Sequence, residues 1–130
     1  MAGALAGLRV LECGELVAAA FAAKLLGQLG ADVVKVEPPS GDPLRRIGPF
    51  PARPGKESPE SGGLHLFLDQ AKRSVIADLT TAAGQQQLQR LAGAADVLLA
   101  SGSPAWLEQR GLSVPALQEA HPGLIVTLIT

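Results

Sequence analysis

Glu37 closes an apolar, β-branched run, Val33-Val-Lys-Val36, and Pro38 and Pro39 follow it at once. Val, with its branched Cβ, suits a strand, and proline cannot donate to the ladder that would continue it. An acid at the end of such a strand, followed by a loop, is where open α/β sheets place their ligands. The charge around it is uneven. Six of the eleven basic residues (Arg45, Arg46, Arg53, Lys56, Lys72 and Arg73) fall between 45 and 73, opposed there only by Glu57, Glu60 and Asp69. Guanidinium and ammonium groups in a loop suit an anionic small ligand such as a phosphate ester. A solvated surface loop is the plainer reading of the same charges.

Other chemistry is poorly served. Cys13 is the single cysteine, so neither a disulfide within the chain nor a thiolate zinc site is expected. It ends an apolar run, which predicts a packing role rather than a nucleophile. His65 and His121 are far apart, without metal-ligand spacing, and His121 before Pro122 marks a helix end. No metal is therefore expected. The net charge of -1 does not suggest nucleic acid. No run approaches the ~18 apolar residues of a membrane helix, and the N-terminus lacks the pattern of a secretory signal, so a cytoplasmic protein is expected. Glu37 sits where a ribose-binding acid would stand in a dinucleotide fold. However, the turn Glu12-Cys-Gly-Glu-Leu-Val-Ala-Ala-Ala20 holds one glycine instead of Gly-x-Gly-x-x-Gly. The phosphate loop and the Gly-x-Ser-x-Gly elbow are absent too, and no pair of close carboxylates stands out.

The elements that position these residues alternate. Strands are predicted at Leu8–Glu12, Val33–Glu37, Arg73–Asp78, Asp96–Ala100 and Leu124–Ile129. Helices are predicted at Leu16–Leu29, from Thr80 or Thr81 to about Leu91, from Ser103-Pro104 to Gly111, and from Ser113 to about Ala120. Between them, 38–63 holds seven of the ten prolines and five glycines and reads as a long loop. The strands are apolar throughout, as strands covered on both faces are. Alternation of this kind predicts an α/β fold: βαβ units on a parallel sheet with flanking helices and right-handed crossovers. With 130 residues, 47% hydrophobic but only 3% aromatic, the core must be built of Ala, Leu and Val. Leu124–Thr130 should be a central or near-central strand. Such a strand at the end of the sequence points to an incomplete domain, or to one completed by a partner.

The ordered set of motifs resembles a known family. Leu5-Ala-Gly-Leu-Arg-Val-Leu-Glu12, Phe21-Ala-x-x-Leu-Leu-x-x-Leu-Gly-Ala-Asp-Val-Val-Lys-Val-Glu-Pro-Pro-Ser-Gly-Asp-Pro-Leu-Arg45, Lys72-Arg-Ser-Val-Ile-Ala-Asp-Leu79, Ala95-Asp-Val-Leu-Leu99, Leu107-Glu-x-x-Gly-Leu112 and Pro122-Gly-Leu-Ile125 look like the N-terminal part of the family III CoA-transferases. That group includes formyl-CoA and carnitine CoA-transferases and alpha-methylacyl-CoA racemase. The resemblance covers nearly all of 1–130. It implies part of a Rossmann-like large domain, coenzyme A thioesters and carboxylic acids as substrates, and an interlocked homodimer in the whole protein. Val17, Ala18, Pro38, Leu68, Lys72, Ser101, Gly102 and Arg110 match the family's CoA-contacting regions, and Arg45 and Arg73, with Lys72, are expected by their charge to meet the nucleotide phosphates. The family's transferases use an aspartate that attacks the thioester carbonyl to form a mixed anhydride. The resemblance puts that aspartate beyond the fifth strand, so no catalytic residue is expected within 1–130. The alternative is a non-catalytic, degenerate domain with a structural or assembly role.

The departures gather at the CoA-contacting loops. Ala18-Ala19-Ala20 replaces a usual Ala-Gly-Pro, and Asp69-Gln-Ala-Lys-Arg-Ser74 replaces Asn-Arg-Gly-Lys-Arg-Ser, bringing a carboxylate beside the expected phosphate site. Ser101-Gly-Ser-Pro-Ala105 replaces an Asn-Phe-Arg/Gly-Pro-Gly turn. An arginine of the next helix is Gln109, with Arg110 one residue, ~100°, further round.

Overall fold

The computed structural model describes residues 2–52, 55 and 58–130. Arg53 and Lys56 of the basic cluster lie outside the described residues. Five strands, β1 (Arg9–Cys13), β2 (Asp32–Glu37), β3 (Arg73–Ile76), β4 (Val97–Ser101) and β5 (Ile125–Ile129), form one sheet in the order β3-β2-β1-β4-β5. Every pairing is parallel. This is the doubly wound order, with its switch point between β1 and β4.

Successive strand residues point to opposite faces, which assigns the core. On one face Val10, Val33 and Leu99 pack under α1 (Val17–Gln28), whose Ala19 and Ala23 have no bulk to hold it off the sheet. On the other, Leu11, Cys13, Val36, Leu98 and Ala100 meet Leu88 and Ala92 of α3 (Ala82–Gly93), Leu107 of α4 (Pro104–Gln109) and Leu117 of α5 (Val114–Ala120). The core is thus aliphatic, as composition requires. Caps fix the helix starts: Thr81 accepts from the Gly84 amide at 3.1 Å, and Ser103 accepts from the Trp106 amide at 3.2 Å.

Two expectations change. The stretch after β2 is not one long loop. Asp42 caps a short 3-10 helix, Pro43–Arg46, and a helix α2, Gly63–Leu68, follows before β3. Leu44 and Leu68 bury against Ala20 of α1 and make a third, small core. Three apolar anchors suffice to fix a segment that proline and glycine content alone reads as loop. The last strand is also not central. β5 lies at the sheet edge, with Ile125 exposed.

Candidate functional site

The turn from β1 into α1 is set by backbone sterics. Gly14 has φ 145°, and a Cβ there would come within 2.9 Å of the Ser101 amide, so β1 and β4 approach at their C-terminal ends only because this residue is glycine. Leu16, with φ 65°, then takes a left-handed conformation that is costly for a residue bearing a Cβ. No side chain caps the start of α1, and the nearby Val17 and Ala18 are exposed.

Beside this turn a small open cleft of about 70 Å³ runs across the C-terminal ends of β1, β2 and β3 to α4. Gly14, Pro38 and Thr80 shape it, Glu15 and Asp78 supply carboxylates, and Trp106 with Arg110 forms the wall on α4. Arg110 lies over the indole of Trp106, its guanidinium carbon 3.9 Å from the ring centre. Cys13 reaches the floor, but burial pushes its thiol up to about 12, which makes it a packing residue and no nucleophile.

A second constellation lies under α1 and α2, and sequence spacing gave no hint of it. Lys35 of β2 is buried, and its Nζ lies 2.8 Å from Asp42, 3.0 Å from Asp69 and 3.5 Å from Glu12. Lys72 reaches the same group, 2.7 Å from Glu12 and 3.0 Å from Asp69, and donates to the Ala20 carbonyl at 2.8 Å. His65 Nδ1 sits 2.8 Å from Asp69. Three carboxylates surround two ammonium groups, so each charge loses water but gains a partner. Burial alone would lower Lys35, yet its carboxylates raise it. Burial keeps Glu12 above the usual range against both lysines, and holds back the lowering of Asp69 by Lys35, His65 and Lys72 without reversing it.

Glu37 is committed in the same region. Arg45 meets it with two bonds of 2.7 Å, Ser74 donates at 2.6 Å and the Asp42 amide at 2.9 Å. Burial would raise this carboxyl, but the donors outweigh it and hold it at about 2. Glu37 therefore latches the segment after β2 to the sheet.

The ten residues expected at a ligand site thus fall into two groups. Val17, Ala18, Pro38, Ser101, Gly102 and Arg110 lie at the C-terminal edge of the sheet, and of these Pro38 and Arg110 line the cleft. The other four do not. Leu68 is core, Lys72 is locked in the ionic cluster, Arg45 is bound to Glu37 and Glu60, and Arg73 pairs with Asp32 at the start of β2. Arg46 donates to the Ser40 carbonyl at 2.7 Å. Asp69, expected as an intruding charge beside a phosphate, is instead a counter-ion of buried lysines. Trp106, on the helix opened by Ser103-Pro104 and one turn before Arg110, also lines the cleft and is not among the ten.

A doubly wound parallel domain with an open cleft at the carboxyl ends of its strands is the architecture of a ligand-binding α/β domain. The profile of CoA-transferase family III matches residues 5–130, and the chain belongs to that family. It is 36% identical over 129 residues to the succinyl-CoA–L-malate CoA-transferase alpha subunit of Chloroflexus aurantiacus, covering 97% of this chain and 28% of that protein. It is 39% identical over 124 residues to a probable fatty acyl-CoA transferase of Mycobacterium tuberculosis, covering 95% and 30%. Among solved structures, a CAIB/BAIF family protein from Brucella suis superposes with a TM-score of 0.88 at 34% identity, over 100% of this chain and 34% of that one. The chain thus spans about a third or less of the length of these relatives.

Proposed function

We propose that this chain is the N-terminal part of a CoA-transferase acting on CoA thioesters, and that its share of the work is to hold coenzyme A at the C-terminal edge of the sheet. The observation that carries the proposal is the family match across 5–130, falling on a fold whose switch point carries an open cleft. Six of the expected CoA-contacting residues lie on that edge. The four others act through position: Arg45, Lys72 and Leu68 fix the segment after β2 and the base of α1, and Arg73 ties β3 to β2. The acyl group passes between CoA and a carboxylic acid through an aspartate supplied beyond residue 130, in a cytoplasmic interlocked homodimer.

The second reading, a non-catalytic relative kept for assembly, is favoured by one observation. Ala71 stands at φ 63° where the family motif has glycine, so the loop kept its shape after losing the residue that suits it. Isothermal titration with coenzyme A separates the two. Saturable binding without transferase turnover is expected of the chain as it stands. Absence of any CoA binding would overturn the first reading.

A further inference from the structure

We propose, resting on the CoA reading above, that Lys35 is a positioning residue for the CoA-holding edge: its buried ammonium group joins the three segments that set where Val17, Ala18 and Pro38 stand. Lys35 lies on β2, two residues before Glu37, and its side chain is 2% exposed. Each carboxylate around its Nζ comes from a different segment. Glu12 is on β1, two residues before Gly14 of the turn into α1. Asp42 opens the 3-10 helix: its Oδ1 accepts from the Leu44 amide at 2.8 Å, and its own amide donates to Glu37 at 2.9 Å. The chain from Pro38 to Asp42 is therefore held at both ends. Asp69 ends α2 and bonds Lys72, whose Nζ reaches the Ala20 carbonyl near the start of α1. Burial would take the proton from Lys35, but the carboxylates hold it.

The charge count makes the cluster sensitive to this one group. Glu12, Asp42 and Asp69 face Lys35 and Lys72, an excess of one negative charge. From the α2 side His65 meets Asp69, and Arg45 meets His65, Glu37 and Glu60. Without Lys35, three buried carboxylates face one ammonium group. An uncompensated buried charge is costly. Either the segment after β2 opens to water, which displaces Pro38 and loosens α1, or the cluster takes up a proton and stays closed. CoA affinity then depends on pH, which a residue that only fills space does not produce.

Calorimetry with coenzyme A, from about pH 5.5 to about pH 8, is run on the unaltered chain, on Lys35→Met, and on Lys35→Met combined with Asp42→Asn. Circular dichroism checks that each folds. The ratio of variant to unaltered affinity at each pH cancels the ionisation of the ligand's own phosphates. Lys35→Met should bind roughly ten-fold or more weakly at the alkaline end and recover to within about three-fold at the acid end, since one coupled proton is worth up to about ten-fold per pH unit. The double variant leaves two carboxylates on Lys72, the original excess of one, and asparagine still caps the Leu44 amide. It should regain affinity at the alkaline end. In the unaltered chain, bound CoA should slow hydrogen exchange at the Asp42 and Leu44 amides, because coupling between two sites is reciprocal. Unchanged affinity in folded Lys35→Met, a loss that is the same at every pH, or exchange at those two amides that CoA leaves unaltered would each overturn the positioning role and leave the CoA reading standing. The exchange measurement decides the matter even where Lys35→Met does not fold. No binding of CoA to the unaltered chain would overturn both.

Discussion

Glu37 shows how far one residue's role depends on its neighbours. Its place after a strand suggested a ligand acid, but the structure gives all its lone pairs to Arg45, Ser74 and the Asp42 amide. None of those partners could be found from spacing, because each sits on a different turn of the chain. Cys13 was legible, since an apolar run sufficed to bury it. The Glu37 latch predicts a pH dependence. Its folded value of about 2 lies below the ordinary 4.5, so its stabilisation is complete above pH 4.5 and is lost as pH falls from there toward 2. The full difference is on the order of 3 kcal/mol for so buried a group. Burial of Glu12 acts in the opposite sense and blunts the fall. Glu37→Gln should lower stability at neutral pH and flatten this acid limb in urea titrations; an unchanged limb would remove Glu37 from its origin. Ala71 makes the opposite case, a residue that fits its place badly. Its exposed side chain contacts little, while φ 63° costs a residue with a Cβ about 1–2 kcal/mol. Glycine recovers that and gives back part through unfolded-chain entropy. Ala71→Gly should raise stability by up to about 1 kcal/mol, read as a higher denaturation midpoint.

At the level of elements, the apolar runs and caps predicted five strands and four of the five helices, because burial on both faces and Ser/Thr caps leave local marks. α2 and the 3-10 helix left none. They are short, and they hold their shape through Leu44 and Leu68 packing on Ala20, a contact between distant segments. The site was half legible for the same reason: residues at strand ends were found, while the partners that lock Lys72 and Arg45 come from elsewhere in the fold. Helix α3 gives a test in which local and tertiary terms conflict. Gly84 lies in its first turn, where propensity alone favours alanine by about 1 kcal/mol. But an added Cβ would run into the Asp78 carbonyl, since α3 starts directly against the end of the β3 segment. Backbone has no rotamer by which to yield, and overpacking costs about 1–3 kcal/mol or more. Gly84→Ala should therefore destabilise the chain by roughly 2 kcal/mol. A neutral or stabilising result would show that α3 can shift on the sheet.

For the whole molecule, strand order was beyond the sequence, which predicts strands but not their neighbours. The order leaves β3 and β5 at the two edges, and both carry an exposed isoleucine, Ile76 at 61% and Ile125 at 62%. On α1 and at its C-cap, Val17, Phe21, Leu25 and Leu29 recur every four residues and are each about half exposed. Exposed large apolar side chains and unpaired strand edges both mark surfaces that associate, because the apolar area and the backbone donors find partners in another copy. The net charge of -1 offers little repulsion to prevent it. The 13.3 kDa chain should therefore show an apparent mass in light scattering that rises with concentration. Ile125→Lys places a charge on the β5 edge and should reduce the rise, whereas Ile47→Lys, in the segment after the 3-10 helix, should not. If edge pairing drives association, the Ile125 variant also loses any concentration dependence of its β-sheet signal. A constant monomer mass at all concentrations, or equal effects of the two lysines, would show that these edges are already protected within the single chain.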